Sequence, residues 1–213
     1  ENLYTLPLGF VLPYDLADNW QYQMENPAEV QNDLCLLLGT DDVLVPVETE
    51  VSGSGCTFTA DMAGEYYVYI QNKKVKNVKA SLPSGEKNFS NVDRGYLLEM
   101  GNLSEGSRIT LTPGESGETL TAAVYRFSPR AMIQVYDRLS QSPLHLDSWR
   151  DTKLTGTVTA AESGTLFLSI PYDEGWTITI DGQPAEGDKI LEAFLSVPVD
   201  AGTTEISLIY LPG

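Results

Sequence analysis

The stretches "TFTADMAGEYYVYI" (residues 57–70) and "TVTAAESGTLFLSI" (157–170) decide the fold of this 213-residue chain. Aligned without a gap, they share their glycines, Gly64 and Gly164, which lie 100 residues apart, and four further residues. After each glycine, apolar side chains alternate along the chain, which is the pattern of a strand with one buried face. The sequence therefore predicts an internal repeat, although two generic strand patterns could also coincide in this way.

A short helix is predicted ahead of each repeated stretch. Asn26 is a preferred N-cap residue, Pro27 suits the first helical position, and Gly39 suits the end. Ser128 and Pro129 provide the same start in the second half. Apolar residues then recur at helical spacing, namely Val30, Leu34, Leu37 and Leu38 in the first segment and Met132, Val135, Tyr136 and Leu139 in the second. Both patterns favour helices that pack against their own domain over helices that bind a partner.

Short runs of β-branched and aromatic residues follow each helix, separated by Gly, Asn, Asp and Ser at the spacing of an antiparallel sandwich. We therefore predict a mainly β fold of two tandem antiparallel β-sandwich halves, jelly-roll-like, each preceded by a short α-helix. The predicted boundaries are 1–25 for an extended N-terminal arm, 26–127 for the first helix and sandwich, and 128–213 for the second.

The segment "IPYDEGWTITIDGQP" (170–184) is interpreted as two strands joined by an acidic turn, which form a packed hairpin. Along the second strand, Trp176, Ile178 and Ile180 share one face, because successive side chains alternate between faces. This predicts that Trp176 belongs to the core and does not stack on a ligand. Asp181 and Gly182 are the residue pair that a type I′ turn favours.

Two sets of residues are candidates for ligand binding. Tyr172, Asp173 and Glu174 lie in a predicted loop beside a rigid strand. A second set of aromatic residues could form a face on which a sugar stacks: Tyr67, Tyr69 and Trp149. The alternatives are a solvated acidic turn for the first set and ordinary cross-strand aromatic pairs for the second.

Thirty acidic and thirteen basic residues give the chain a formal net charge of −17. Such a field repels nucleic acid and anionic lipid surfaces, so neither is predicted as a partner. No apolar run reaches the ~18–20 residues of a membrane-spanning helix. Cys35 lies in an apolar run and is interpreted as a buried thiol, whereas Cys56 lies in a Gly- and Ser-rich segment. A disulfide between the two is the alternative.

No sequence motif indicates catalysis. His145 is the only histidine, and the chain lacks the Gly-x-Ser-x-Gly motif of a serine nucleophile. A glycosidase needs two facing carboxylates, and no motif marks such a pair. Asp41 and Asp42 lack the loop pattern of a calcium site, and neither a phosphate-binding loop nor zinc-ligand spacing is present. We therefore predict no catalytic residue, metal or cofactor for this chain.

Six segments occur together in a fixed order: "LYTLPLGF" at residue 3, "NPAEVQNDL" at 26, "GEYYVYI" at 64, "IPYDEGWTITIDGQP" at 170, "AFLSVPVDAG" at 193 and "ISLIYLPG" at 206. This set resembles the bacterial YfhO family of polytopic membrane proteins, in the soluble region before the last membrane helix. The resemblance spans nearly the whole chain. The start at Glu1, without a methionine, and the apolar strand at the end agree with a piece of a longer protein.

The resemblance implies a parent protein with many membrane helices, similar to lipid-linked sugar transferases of the GT-C type. It further implies a role in glycosylating cell-envelope polymers such as lipoteichoic acid, with this region on the extracytoplasmic side of the cell membrane. In such enzymes the catalytic acid lies in a membrane-proximal loop near the N-terminus, so no catalytic residue can be assigned here.

We accordingly expect a non-catalytic extracytoplasmic domain that braces the membrane helices of its parent and contacts a sugar or polymer acceptor. The alternative is a free-standing carbohydrate-binding or adhesion module, because the sandwich pattern alone is compatible with both. A soluble glycosidase is a third interpretation, and it requires paired acids that converge in a cleft.

Overall fold

The computed structural model describes residues 6–20 and 26–211. These residues form three α-helices: α1 (Tyr14–Asn19), α2 (Pro27–Leu38) and α3 (Pro129–Leu139). They also form eighteen strands: β1 (Gly9–Pro13), β2 (Leu44–Val47), β3 (Glu50–Ser52), β4 (Gly55–Thr59), β5 (Gly64–Ile70), β6 (Asn77–Leu82), β7 (Gly85–Ser90), β8 (Leu98–Leu103), β9 (Arg108–Pro113), β10 (Ala122–Phe127), β11 (Leu144–Arg150), β12 (Lys153–Ala160), β13 (Gly164–Pro171), β14 (Trp176–Ile180), β15 (Gln183–Ala185), β16 (Asp188–Ile190), β17 (Phe194–Val199) and β18 (Gly202–Tyr210). All paired strands run antiparallel, which confirms the predicted mainly β, antiparallel fold class.

The described residues divide into two compact units. The first unit consists of the described part of Gln23–Leu36 together with Asp41–Ala131. The second consists of Leu37–Thr40 and the described parts of Glu1–Tyr22 and Met132–Gly213. Residues 6–20, at the start of the chain, therefore belong to the same unit as its last strands.

The first unit is a sandwich of two sheets, ordered β2-β10-β5-β8 and β3-β4-β9-β6-β7. Alternate side chains of both sheets point inward and form one apolar core, in which the largest fully buried side chains are Tyr66, Phe58, Ile70, Leu98, Ile109 and Leu111. Helix α2 is tied to this unit by the Asn26 side chain, whose Nδ2 donates a hydrogen bond of 2.6 Å to the Tyr125 hydroxyl.

The second unit is also a sandwich, with sheets ordered β1-β13-β17-β16 and β11-β12-β18-β14-β15. Its core holds fully buried residues from both sheets, the largest being Leu154, Leu166, Leu168, Leu195 and Ile206. On the opposite face of β13, Phe167 stacks against Phe10 at 5.0 Å between ring centroids and also contacts Trp20 and Phe194.

The two units share most of one strand order, and β16 of the second unit has no counterpart in the first. The sheet β3-β4-β9-β6-β7 corresponds strand for strand to β11-β12-β18-β14-β15, and β10-β5-β8 corresponds to β1-β13-β17. The place of β2 is taken in the second unit by a single bridge between Phe10 and Pro143. Strand β1 therefore occupies the position in the second unit that β10 occupies in the first, although β1 comes first in the chain.

Strand β1, from the predicted N-terminal arm, completes a sheet of the second unit, whereas β10, at the end of the predicted first half, pairs within the first unit. Strand β10 runs directly into α3, yet it pairs with β5 of the first unit, while β1 runs into α1 and pairs with β13 of the second. Part of the predicted extended arm is helical, because Tyr14–Asn19 form α1. No side chain caps this short helix, so its start lacks the N-cap signal that marks α2 and α3. Residues 1–5 and 21–25 of that arm lie outside the described residues.

The predicted starts of the two longer helices are confirmed. The Asn26 side chain accepts a hydrogen bond of 3.1 Å from the Ala28 amide, and the Ser128 hydroxyl accepts one of 3.3 Å from the Ala131 amide. Gly39 follows α2 with a φ of +68°, the left-handed conformation in which glycine ends a helix.

The predicted hairpin at residues 170–180 is wrong. Strands β13 and β14 belong to opposite sheets, and the turn Asp173–Gly175 carries the chain across the sandwich. Two strands that form a hairpin and two strands in opposite sheets both direct alternate side chains toward the same core. The alternation of apolar residues therefore does not distinguish a hairpin from a crossover. The true hairpin joins β14 to β15 through Asp181 and Gly182, and both have the positive φ that the predicted type I′ turn requires.

Strand β1 contributes Leu12, whose side chain is 1% exposed, to the second unit. We predict that Leu12→Ala lowers the free energy of unfolding by about 2–5 kcal/mol, because it leaves a cavity in a packed interior. Leu36→Ala is the matched control, since Leu36 is 74% exposed. Urea denaturation followed by circular dichroism measures both variants. Equal stability of the two variants would show that β1 is not an integral part of its sheet.

A polar cluster lies at the edge of the first unit. The Tyr66 hydroxyl donates a hydrogen bond of 2.6 Å to Asp61, and the Arg126 Nε donates one of 3.1 Å to the same carboxylate. Burial opposes ionisation of Asp61, but the hydrogen bonds from Tyr66 and Arg126 and the arginine charge outweigh it, so the pKa of Asp61 is lowered from 3.8.

Because the folded state lowers the pKa of Asp61, this carboxylate stabilises the fold above pH 3.8, and that stabilisation is lost as the pH falls through the lowered pKa. We predict that Asp61→Asn removes this part of the acid dependence of stability. Urea midpoints between pH 2 and pH 7 measure it, with the exposed Asp147→Asn as control. An unchanged pH profile in the Asp61 variant would contradict the assignment.

Candidate functional site

The candidate site is an open groove of about 420 Å³ in the second unit. Three carboxylates line it, from Asp173, Glu174 and Glu186, and two aromatic side chains, Tyr172 and Trp176, stand beside them. Its apolar floor includes the buried Ile178 and Leu195. We call this feature the acidic groove. It unites the first predicted set of ligand-binding residues in one surface.

The crossover turn holds the acidic side of the groove in a defined conformation. Asp173 accepts a hydrogen bond of 2.8 Å from the Gly175 amide through its Oδ1, and its carbonyl accepts one of 3.2 Å from the Trp176 amide. The Gly175 carbonyl in turn accepts a hydrogen bond of 3.0 Å from the Leu211 amide. One Asp173 oxygen is thus engaged locally, whereas Glu174 extends into solvent as an exposed residue.

Trp176 is half-buried and lies between the core and the groove. Its ring packs against the core of the second unit and against Tyr210, at 5.0 Å between ring centroids. Its Nε1 donates a hydrogen bond of 3.2 Å to the Pro171 carbonyl. The prediction that Trp176 shares the core face with Ile178 and Ile180 is confirmed, while the exposed part of its side chain lines the acidic groove.

Tyr172 forms the opposite aromatic side of the groove. Its backbone amide donates a hydrogen bond to the Ala193 carbonyl, which fixes the residue next to β17. The Lys189 ammonium lies 5.3 Å from the centroid of the Tyr172 ring, within the range of a cation–π interaction. The sequence gives no signal for Lys189 and Glu186, because only the return of the chain after β15 brings them to the crossover turn.

The second predicted set is not brought together. Tyr67 and Tyr69 belong to the first unit, and Trp149 belongs to the second. Tyr69 is only 3% exposed, so its ring offers no face to a sugar, contrary to the prediction. Tyr67 is half-buried and donates a hydrogen bond of 3.2 Å to Glu65. Trp149 is 57% exposed but lies on β11, at the opposite edge of its sheet from the acidic groove.

The carboxylates in the groove are hydrogen-bond acceptors that suit hydroxyl groups. In the part of the chain that the structure describes, no three His, Cys, Asp or Glu side chains come together as a metal-binding group. Spaced carboxylates accept hydrogen bonds from hydroxyls, and an aromatic ring packs against the apolar face of a sugar ring. The arrangement can therefore hold a neutral polyol by stacking and hydrogen bonding.

Both cysteines belong to the first unit. Both are buried and neither is in a disulfide, so the alternative of a disulfide between Cys35 and Cys56 is not realised. Burial raises the pKa of the Cys56 thiol to about 11, which keeps it protonated near neutral pH. His145 lies exposed on β11.

Fold and groove together define a β-sandwich protein of two units with an open, acidic and aromatic surface site. Within residues 6–20 and 26–211, no helix has the length and hydropathy needed to cross a bilayer. The chain belongs to the family described as bacterial membrane protein YfhO, whose family model matches residues 48–213. This match confirms the resemblance seen in the sequence motifs.

A similar solved structure is that of the arabinofuranosyltransferase AftD from Mycobacteria, determined by single-particle cryo-electron microscopy. The two chains are 8% identical, with a TM-score of 0.29. The similarity covers 96% of this chain but 26% of the mycobacterial chain, so the present chain corresponds to a minor part of that protein's length. A search of curated proteins found no match.

Gly175 is a sensitive position of the crossover turn. A Cβ atom there would lie 2.7 Å from the Leu211 carbonyl oxygen and 2.9 Å from the Tyr210 ring. We predict that Gly175→Ala costs about 1–3 kcal/mol, as overpacking does in general. It should also change the near-ultraviolet circular dichroism of the Trp176–Tyr210 pair. Gly64→Ala is the control, since its Cβ meets no atom closer than 3.8 Å. Identical stability and spectra for both variants would refute the close packing.

Proposed function

We propose that this chain is a non-catalytic, extracytoplasmic domain of a polytopic YfhO membrane glycosyltransferase that acts in the glycosylation of a cell-envelope polymer, such as lipoteichoic acid. The domain braces the membrane part of its own parent chain and holds a sugar or the acceptor polymer in the acidic groove. Membership of a membrane protein family supports the first part. The sugar transferase activity follows from the family resemblance of the sequence motifs.

The observation that carries the binding role is the composition of the acidic groove. Aromatic side chains from Tyr172 and Trp176 stand beside carboxylates from Asp173, Glu174 and Glu186 around one apolar floor. This combination matches a sugar ring, which has apolar faces and a rim of hydroxyl donors. Carboxylates at the rim, in a chain of net charge −17, favour a neutral sugar over an anionic one.

Binding of neutral glycans to the purified chain tests this role. We expect signals for hexose- or amino-sugar-containing glycans on an array, and a loss of affinity of about tenfold in Glu186→Ala, because a hydrogen bond to a charged group contributes roughly 1.5–3 kcal/mol. Glu162→Ala is the matched control, since Glu162 is exposed at the opposite end of the second unit. Absence of any glycan binding would remove the ligand role and leave bracing as the function.

Two further measurements separate the alternatives. Membrane spans on both sides of this region in the complete gene support a membrane-anchored domain, whereas their absence favours a free-standing carbohydrate-binding or adhesion module. Oligosaccharide hydrolysis by the purified chain, abolished by both Asp173→Asn and Glu186→Gln, would establish a glycosidase and contradict a non-catalytic role.

A further inference from the structure

The start of the first described strand and the end of the last one lie at the same end of the second unit. The Leu8 carbonyl accepts hydrogen bonds of 2.8 and 2.9 Å from the amide and hydroxyl of Ser169, just before the crossover turn. The Leu211 amide donates to the Gly175 carbonyl, just after the turn's acidic residues. The first residues of β1 and the last residues of β18 therefore flank one turn, and we call this part of the unit the crossover end.

A connection between two strands also lies at the crossover end. Strands β11 and β12 are joined by the turn Asp151–Thr152, and the Tyr210 amide donates a hydrogen bond of 2.8 Å to the Thr152 carbonyl. Trp149 pairs with Leu154 in register, one step from this turn. The opposite end of the unit carries the turns at 161–163 and 181–182 instead.

Aromatic and apolar side chains lie at or near the crossover end on both edges of its sheet, with Trp149 level with Ile178 in the strand register. Trp149 is 57% exposed and Leu211 is 63% exposed. Tyr172, Trp176 and Tyr210 are half-buried there. Tryptophan and tyrosine are enriched where membrane proteins meet the lipid–water interface, because their rings are apolar and their polar atoms remain hydrated. Exposed side chains of this kind suit an environment that is partly apolar and partly hydrated.

The charged side chains at the crossover end do not form a basic surface that would bind an anionic partner. Arg150 and Lys153 are exposed beside Asp151, while Lys189 lies near the acidic groove. The cations are thus offset by carboxylates, and the whole chain is strongly acidic. Electrostatic attraction of this end to an anionic membrane surface is therefore weak. A covalent link to a membrane segment is needed to hold this end near the membrane.

We propose that the crossover end of the second unit faces the membrane, with Trp149, Trp176, Tyr210 and Leu211 in contact with the lipid–water interface. The inference rests on the proposed function, in which membrane segments flank this chain. Both connections to such segments leave from Leu8 and Leu211 at this end. The acidic groove then opens close to the bilayer surface, where a membrane-attached sugar is within reach.

Tryptophan quenching by brominated lipid tests the orientation. The full chain, with six histidines after Gly213, is bound to phosphatidylcholine vesicles through a nickel-chelating lipid, with bromine on the acyl chains near the interface. We expect a loss of fluorescence from Trp149 and Trp176 relative to unbrominated vesicles. In Trp149→Phe, part of that loss should disappear, while Trp20, 7% exposed in the same unit, remains as an unquenched reference.

The control carries the six histidines between Ala161 and Glu162, at the opposite end of the unit, and should show no quenching. Quenching only with the tail after Gly213 supports the inference. Equal quenching from both tethers, or none from the tail after Gly213, overturns it, and the latter result would assign the aromatic residues to protein loops of the parent. Membrane spans in the complete gene test the proposed function separately, so the two failures are distinguishable.

Discussion

Both sandwiches depend on one constraint: a buried central strand must have hydrogen-bond partners along both of its edges. Strand β13 meets it with β17 on one side and β1 on the other, and β5 meets it with β8 and β10. The contact between Leu8 and Ser169 closes a sequence separation of 161 residues. The predicted first half, 26–127, contains every strand of its own two sheets, whereas the predicted second half, 128–213, needs β1 from the N-terminal arm.

This pairing also positions the candidate site. With β1 beside β13 and β18 beside β14, the crossover turn is held between the first and last described strands of the chain. The hydrogen bonds of Asp173 and Gly175 then fix its acidic residues next to the Trp176–Tyr210 pair. A groove built on such a turn has its aromatic walls anchored in the core, and this favours a preformed site over one that orders on binding.

The parts of the fold that sequence predicted are those with local signals. Asn26 and Ser128 as helix caps, the Asp181–Gly182 turn and the alternation of β13 each depend on residues a few positions apart. The crossover at Asp173 and the pairing of β1 depend on which distant strand still has an unpaired edge. The alternating pattern of a strand is compatible with several such partners. At the candidate site, the local sequence predicts the loop at Tyr172–Glu174. It does not predict the burial of Tyr69, because the residues that cover its side chain are distant in the sequence.

The place of β1 has a consequence for synthesis on the ribosome. Phe10 and Leu12 are translated long before their partner strand, which follows only after some 150 further residues. At about 5–20 residues per second, that delay is on the order of ten seconds. During this delay the first unit can fold, while the apolar strand β1 has no partner strand with which to pair. Folding of the second unit therefore waits until β13 has been made, and β1 is the apolar segment that stays without its partner during this delay.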